Sequence, residues 1–278
     1  MTYDRFDGAG ALPRPRRRFG QHFLKDQRVL SRIADALGET ENSTVLEIGP
    51  GRGALTDLLI ERAARVLAIE IDRDLAAHLR SRYAARSNVE IVEADVLDTV
   101  LADVAGGPYV LVGNVPYYIT TPIIFHALRP PRPEFAVFLV QKEVALRMVA
   151  SPGGKTYGAL SVNLQVLCEV ELLFDVPPGS FNPPPAVDSA VVRIRPLANA
   201  LVEPAMEQAF VRFVRAAFGL RRKQLQRVVR TVAGVGSELA TKILNDCALP
   251  AAARPETLSP ADFVRLFSTL RQHHEAAP

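Results

Sequence analysis

The sequence predicts an α/β fold: a parallel sheet wound from βαβ units, followed by a small all-helical domain. Three observations carry that prediction. Between residues 45 and 140, short apolar runs alternate with stretches of helical patterning, the order expected of βαβ units. Each run is β-branched and nearly continuous, as in strands covered on both faces. After "RPLANALVEP" the patterning is helical across residues 204–273 without a convincing strand, which places a boundary near residue 200. The expected organisation is a basic leader over 1–18, an α/β domain over 19–200 and a helical domain over 201–278.

The elements follow in order. The leader is Pro-rich, clusters Arg14, Arg16, Arg17 and Arg18, and lacks the apolar h-region of a secretory signal. "TVLEIG" precedes the helical "ALTDLLIERAA", and "RVLAIE" precedes "RDLAAHLRSRYAA". "VEIVEAD", "YVLVGN" and "FAVFLV" continue the strand series. "EVELLFDV" and "AVVRIRP" then flank "PPGSFNPPPAVD" and read as an antiparallel pair closing one edge. Pro177, Pro178 and Pro183 to Pro185 cannot continue a ladder, so the loop between them is stiff.

Residues 212–230 carry Arg212, Arg215, Arg221, Arg222, Lys223, Arg227 and Arg230 with no acidic residue among them. On a helical projection Phe213, Val214, Phe218, Leu225, Val228 and Val229 share one side, and the basic residues share the other. Arg221 alone falls among the apolar residues, and Gly219 predicts a break just before it. One buried face and one basic face suit phosphate contacts.

Composition bounds the function. With 48% apolar and 23% charged residues, the 278-residue chain has enough apolar content for a sizeable core. No run approaches the roughly 18 apolar residues of a membrane span. Cys168 and Cys247 lie far apart without metal-type spacing, and read as two reduced thiols of a cytoplasmic protein. Net charge is only +3 and the pI about 9.0, yet two basic clusters stand on a balanced background, which suggests a polyanionic partner.

Chemistry gathers at successive strand ends. Gly49, Gly51 and Gly53 follow the first strand and open a helix, where glycine lets a backbone approach a ligand, although a tight turn needs them equally. Their G-x-G-x-G spacing differs from the dinucleotide fingerprint, and Pro50 offers no N–H to a pyrophosphate. Glu70 ends the second strand, 21 residues after Gly49, where a carboxylate accepts ribose hydroxyls. Asp95 follows the third and could accept from an adenine amine. The fourth ends in Asn114-Val115-Pro116-Tyr117. The Asn114 side-chain oxygen and the Val115 carbonyl are two acceptors that could converge on one NH2 group. Pro116 limits the turn and Tyr117 offers a flat stacking face. Tyr118 could be a second base contact or core packing, and packing is the expectation.

"FGQHFL", "EIGPGRGALT", "IEID", "EAD", "GNVPYYITTP", "LVQKEV", "YGALSV", "FNPPPAVDSAVVR" and "FGLRRKQL" occur in this order over most of the chain. As a set they closely resemble the KsgA-type (RsmA) rRNA adenine N6,N6-dimethyltransferases. The resemblance implies a Rossmann-like fold with S-adenosylmethionine as cofactor, S-adenosylhomocysteine as product and no metal. It implies dimethylation of two adjacent adenosines in the 3′-terminal hairpin loop of 16S rRNA during 30S subunit biogenesis. Carried over by motif, His22, Leu24, Gly49, Gly51, Glu70, Asp95 and Asn114 would hold the donor. Asn114, Val115, Pro116 and Tyr117 would hold the target, with Phe181 capping the base opposite Tyr117. Arg212, Arg215, Arg221, Arg222, Lys223 and Arg227 would contact rRNA in a pre-30S particle, with a monomeric protein and no membrane partner. The family more often has Asn at position 22 and Leu at position 115.

Alternatives are an Erm-type enzyme acting on 23S rRNA, a non-catalytic RNA-binding assembly factor of the same fold, and an NAD-dependent dehydrogenase. The "FNPPPAVDSAVVR" and "FGLRRKQL" segments look more like the KsgA type, and the glycine spacing argues against a dehydrogenase.

Overall fold

The computed structural model describes residues 21–275. The leader expected at residues 1–18, with its four arginines, lies outside the described residues. Strands are β1 (Phe23–Leu24), β2 (Thr44–Ile48), β3 (Arg65–Glu70), β4 (Val89–Glu93), β5 (Tyr109–Asn114), β6 (Ala136–Gln141), β7 (Cys168–Val176), β8 (Phe181–Asn182) and β9 (Ser189–Pro196). Helices are α1 (Gln27–Asp35), α2 (Thr56–Ile60), α3 (Arg73–Arg82), α4 (Leu101–Ala105), α5 (Thr120–Ala127), α6 (Lys142–Met148), α7 (Ala159–Gln165), α8 (Glu207–Gly219), α9 (Leu225–Ala233), α10 (Ser237–Asp246) and α11 (Pro260–Glu275). The chain divides into two compact units, residues 21–123 with 177–186, and residues 124–176 with 187–275.

The first unit contains the expected βαβ windings. β2 pairs in parallel with β3 on one side and β5 on the other, and β3 pairs with β4, giving the order β4-β3-β2-β5. The apolar runs behave as strands covered on both faces: Val45, Leu46, Leu67, Ala68, Leu111 and Val112 are all sealed from solvent. Helix starts are set by aspartates. The Asp26 carboxylate accepts from the Arg28 N–H at 3.0 Å to open α1, and Asp72 accepts from Asp74 at 3.0 Å to open α3. Leu75, Ala76 and Leu79 form the buried face of α3. The strand order reverses between β3 and β5 on either side of β2, a switch point where loops part and leave a crevice at the carboxyl ends.

A ribbon that the patterning did not predict completes this unit. β1 pairs antiparallel with β8, Phe23 opposite Asn182 and Leu24 opposite Phe181. Two residues per strand are too few for alternation to register, and β8 lies inside the Pro-rich loop.

In the second unit β9 pairs antiparallel with both β6 and β7, so the pair "EVELLFDV" and "AVVRIRP" forms as expected, with an irregularity between Leu172 and Phe174. β9 ends at Pro196 and helices follow from Glu207. Their core is aromatic: Phe210 and Phe267 meet edge-on at 5.4 Å, and Phe218 stacks on Phe263 at 5.5 Å. The buried Tyr157 hydroxyl donates to the Leu258 carbonyl at 2.8 Å, tying the loop before α7 to the turn before α11. The basic segment breaks as predicted, α8 ending at Gly219 and α9 starting at Leu225. Among the described residues no helix is long and apolar enough to cross a membrane.

Candidate functional site

The loops after β2, β3, β4 and β5 converge within the first unit on a cavity of about 300 Å³. That size suits a small-molecule ligand. Its wall includes Gly49, Gly51, Glu70, Asp95, Asn114 and Tyr117, one or more from each strand end singled out in the sequence.

The glycine loop passes close under neighbouring rings. At Gly51, with φ +58, a Cβ would stand 3.0 Å from the Phe23 ring. At Gly53, with φ +84, it would collide with the Tyr83 hydroxyl, whose single O–H is shared between the Gly53 carbonyl at 3.0 Å and Asp57 at 2.8 Å. Gly53 therefore requires glycine on steric and backbone grounds, and Gly51 is favoured chiefly by its positive φ.

The Gly51 N–H donates to Glu70 Oε2 at 3.1 Å, and the Asp72 N–H donates to Oε1 at 2.9 Å. These bonds brace the loop against the end of β3. Burial still dominates: Glu70 is 4% exposed, and desolvation pushes its pKa up to about 7 against the pull of those two donors. Beneath the loop lies Glu47, which the sequence reading passed over. It is buried in the middle of β2, accepts from the Thr56 hydroxyl at 2.7 Å, and is pushed up to about 8 by burial. A lone acid inside an otherwise apolar strand was the signal that could have found it.

Asp95 sits two residues past β4, half-buried, with Oδ1 accepting from the Leu97 N–H at 2.9 Å. Asn114 ends β5, and its Nδ2 donates to the His22 carbonyl at 3.1 Å. Val115 is buried and Pro116 half-buried, and both line the cavity. Tyr117 opens a 3₁₀ turn over Tyr117–Ile119, and its ring stacks on the His22 imidazole at 5.8 Å with 24° between planes. His22 also lines the cavity.

Tyr118 corrects the expectation of packing: it is 61% exposed and lines the cavity. In a 3₁₀ turn successive side chains diverge by about 120°, so a half-buried Tyr117 sends Tyr118 outward. Leu24 and Phe181 stand apart from the other expected site residues. They face each other in the β1–β8 ribbon, both buried, outside the residues that line the cavity.

Among the described residues no lysine or arginine lines the cavity, while two carboxylates do. That wall favours a cationic or neutral ligand over a pyrophosphate, matching the glycine spacing and Pro50.

In the second unit Arg212 and Arg215 on α8, Arg222 and Lys223 in the following turn, and Arg227 and Arg230 on α9 are exposed. Phe213, Val214, Leu225, Val228 and Val229 are buried on the opposite side. Arg221, the residue that fell on the apolar side of the projection, is half-buried. Its Nε meets Glu256 at 2.5 Å and its NH2 group donates to the Lys155 carbonyl at 3.1 Å.

Residues 13–272 match the family model for ribosomal RNA adenine dimethylase. A curated protein of Leptothrix cholodnii named ribosomal RNA small subunit methyltransferase A is 42% identical over 269 residues, 95% of each chain. The crystal structure of a dimethyladenosine transferase from Plasmodium falciparum superposes with a TM-score of 0.80 at 28% identity, covering 91% of this chain and 98% of that one. The crystal structure of the 23S rRNA methyltransferase ErmE superposes with a TM-score of 0.70 at 30% identity, covering 90% and 100%.

Proposed function

The chain belongs to the ribosomal RNA adenine dimethylase family, and from that premise we propose that it methylates N6 of two adjacent adenosines in the 3′-terminal hairpin loop of 16S rRNA, within a pre-30S particle. The observation that carries the reading is the acid-lined cavity where Gly49, Glu70 and Asp95 meet the Asn114–Tyr117 turn.

S-adenosylmethionine fits that wall and, when bound, supplies an electrophilic methyl on a cationic sulfonium. Glu70 would accept from ribose hydroxyls and Asp95 from the donor's adenine amine, and the glycine loop would admit the ligand at close approach. The target N6 is a poor nucleophile because its lone pair is delocalised into the ring. Asn114 Oδ1 and the Val115 carbonyl would accept its two N–H bonds, orient the lone pair and stabilise the positive charge that develops as the N–C bond forms. Tyr117 stacks on the base. The nitrogen becomes acidic once methylated, so its proton can pass to solvent without a strong base. A base in a hairpin loop is cheaply unstacked to reach such a pocket.

The exposed basic face, Arg212, Arg215, Arg222, Lys223, Arg227 and Arg230, would contact rRNA phosphates and make particle binding fall with salt. Arg221 would act there only indirectly, by holding the turn through Glu256.

The test is to incubate the full chain with labelled S-adenosylmethionine and, in parallel reactions, undermethylated 30S particles and free 23S rRNA, and to map the product. Label on adjacent adenosines of the 3′-terminal hairpin supports the proposal. Label appearing only on 23S rRNA overturns it in favour of the chemistry named for ErmE.

A further inference from the structure

We propose that His22 is the positioning residue of the target pocket, one imidazole that sets both the Asn114 amide and the Tyr117 ring. The inference rests on the methyl-transfer reading above and adds to it.

Asn114 must present its oxygen, not its nitrogen, to an amine. Its side-chain amide meets the His22 carbonyl at 3.1 Å. A carbonyl oxygen accepts and never donates, so the amide nitrogen must be the end that faces it. Oδ1 is then the end left for the cavity. The acceptor that the chemistry needs is selected by the main chain of residue 22.

That main chain is itself held by its own side chain. His22 Nδ1 lies 2.8 Å from the Pro183 carbonyl, again a pure acceptor, so Nδ1 carries the proton. The bond spans 161 residues of sequence and continues the β1–β8 ribbon, where the Lys25 N–H donates to the Ser180 carbonyl at 2.8 Å. The ribbon anchors residues 23–25, and the imidazole bond extends that anchorage to residue 22. The third contact is the ring face, which stacks on Tyr117. The same residue thus links the Pro-rich loop and the stacking platform through its ring and the Asn114 carboxamide through its carbonyl.

The two roles can be separated because they use different atoms. Asparagine places a δ-nitrogen donor at the same branch point from Cβ as Nδ1, but has no aromatic face. Phenylalanine keeps the face and has no donor. His22→Phe should therefore lower kcat, measured at saturating S-adenosylmethionine, about 10–100-fold, the scale of a small misplacement in a reacting site. His22→Asn should restore kcat to within about threefold of the parent, while KM for the 30S particle rises about three- to tenfold, less than or similar to the loss of one base–aromatic stack. Thermal unfolding of each variant separates these effects from loss of the fold.

The proposal fails if His22→Phe turns over like the parent, or if His22→Phe and His22→Asn lose kcat equally. A readout independent of activity is the pair of Asn114 side-chain amide proton resonances in ¹⁵N-labelled protein. They should exchange faster with water in His22→Phe than in the parent and His22→Asn, and unchanged exchange in His22→Phe overturns the latch. An inactive parent protein would instead refute the methyl-transfer reading, and the exchange experiment would still decide the role of His22.

Discussion

Under the methyl-transfer proposal Glu70 would serve as a charged acceptor, and yet it sits almost sealed from water. Its pKa near 7 follows from that conflict. Hydroxyl donors from a ribose favour the carboxylate, so donor affinity should rise with pH up to about 7 and level off above it. Below that value the affinity should fall by up to tenfold per unit, as calorimetry across pH 5.5–8.5 would show. Glu70→Gln should weaken donor binding about 10–100-fold above pH 7, the worth of hydrogen bonds to a charged group. Glu47 has the opposite lesson. Its raised pKa means that the folded protein holds the proton more tightly than the unfolded chain. The stability from that neutral form is complete below about pH 4.5 and is lost as pH rises towards 8. Glu47→Gln should therefore raise the Tm relative to the parent more at pH 8.5 than at pH 6, and an equal shift at both would refute the assignment. At this scale the sequence shows which acids stand at strand ends. It does not show Glu47 as buried or Tyr118 as exposed, since both depend on what packs around them.

At the level of elements, the strand series and the basic segment were legible because periodicity and β-branching are local properties. The β1–β8 ribbon was not, because its pairing comes from contact between distant segments and not from any pattern within either. The basic segment shows both cases. Its break after Gly219 is written in the sequence, whereas the engagement of Arg221 with Glu256 is a tertiary fact. Two substitutions separate them. Arg222→Glu with Lys223→Glu should weaken binding to 30S particles and reduce its salt dependence, with Tm nearly unchanged. Arg221→Ala should instead cost about 1 kcal/mol of stability, as for a partly exposed ion pair with an added hydrogen bond, seen as a fall of a few degrees in Tm. If Arg221→Ala leaves Tm unaltered and weakens particle binding as strongly, the structural role is wrong.

Across the whole molecule, the cavity belongs to the unit of residues 21–123 with 177–186, and the basic face to the unit of residues 124–176 with 187–275. Chemistry and phosphate binding should then be separable. Asn114→Ala should reduce methyl transfer about 10²–10³-fold, as when a donor or acceptor aimed at developing charge is removed. Particle binding and its salt dependence should be retained, and transfer at the parent rate would remove Asn114 from the mechanism. The sequence by itself determined the α/β winding, the order of four candidate strand ends and the family, because each is carried by short motifs whose spacing survives without coordinates. Only the tertiary structure decided which end of the Asn114 amide meets the His22 carbonyl, that Leu24 and Phe181 turn into a ribbon, and that His22 reaches Pro183. Those outcomes depend on partners more than 90 residues away in the chain, and no local pattern encodes such a partner.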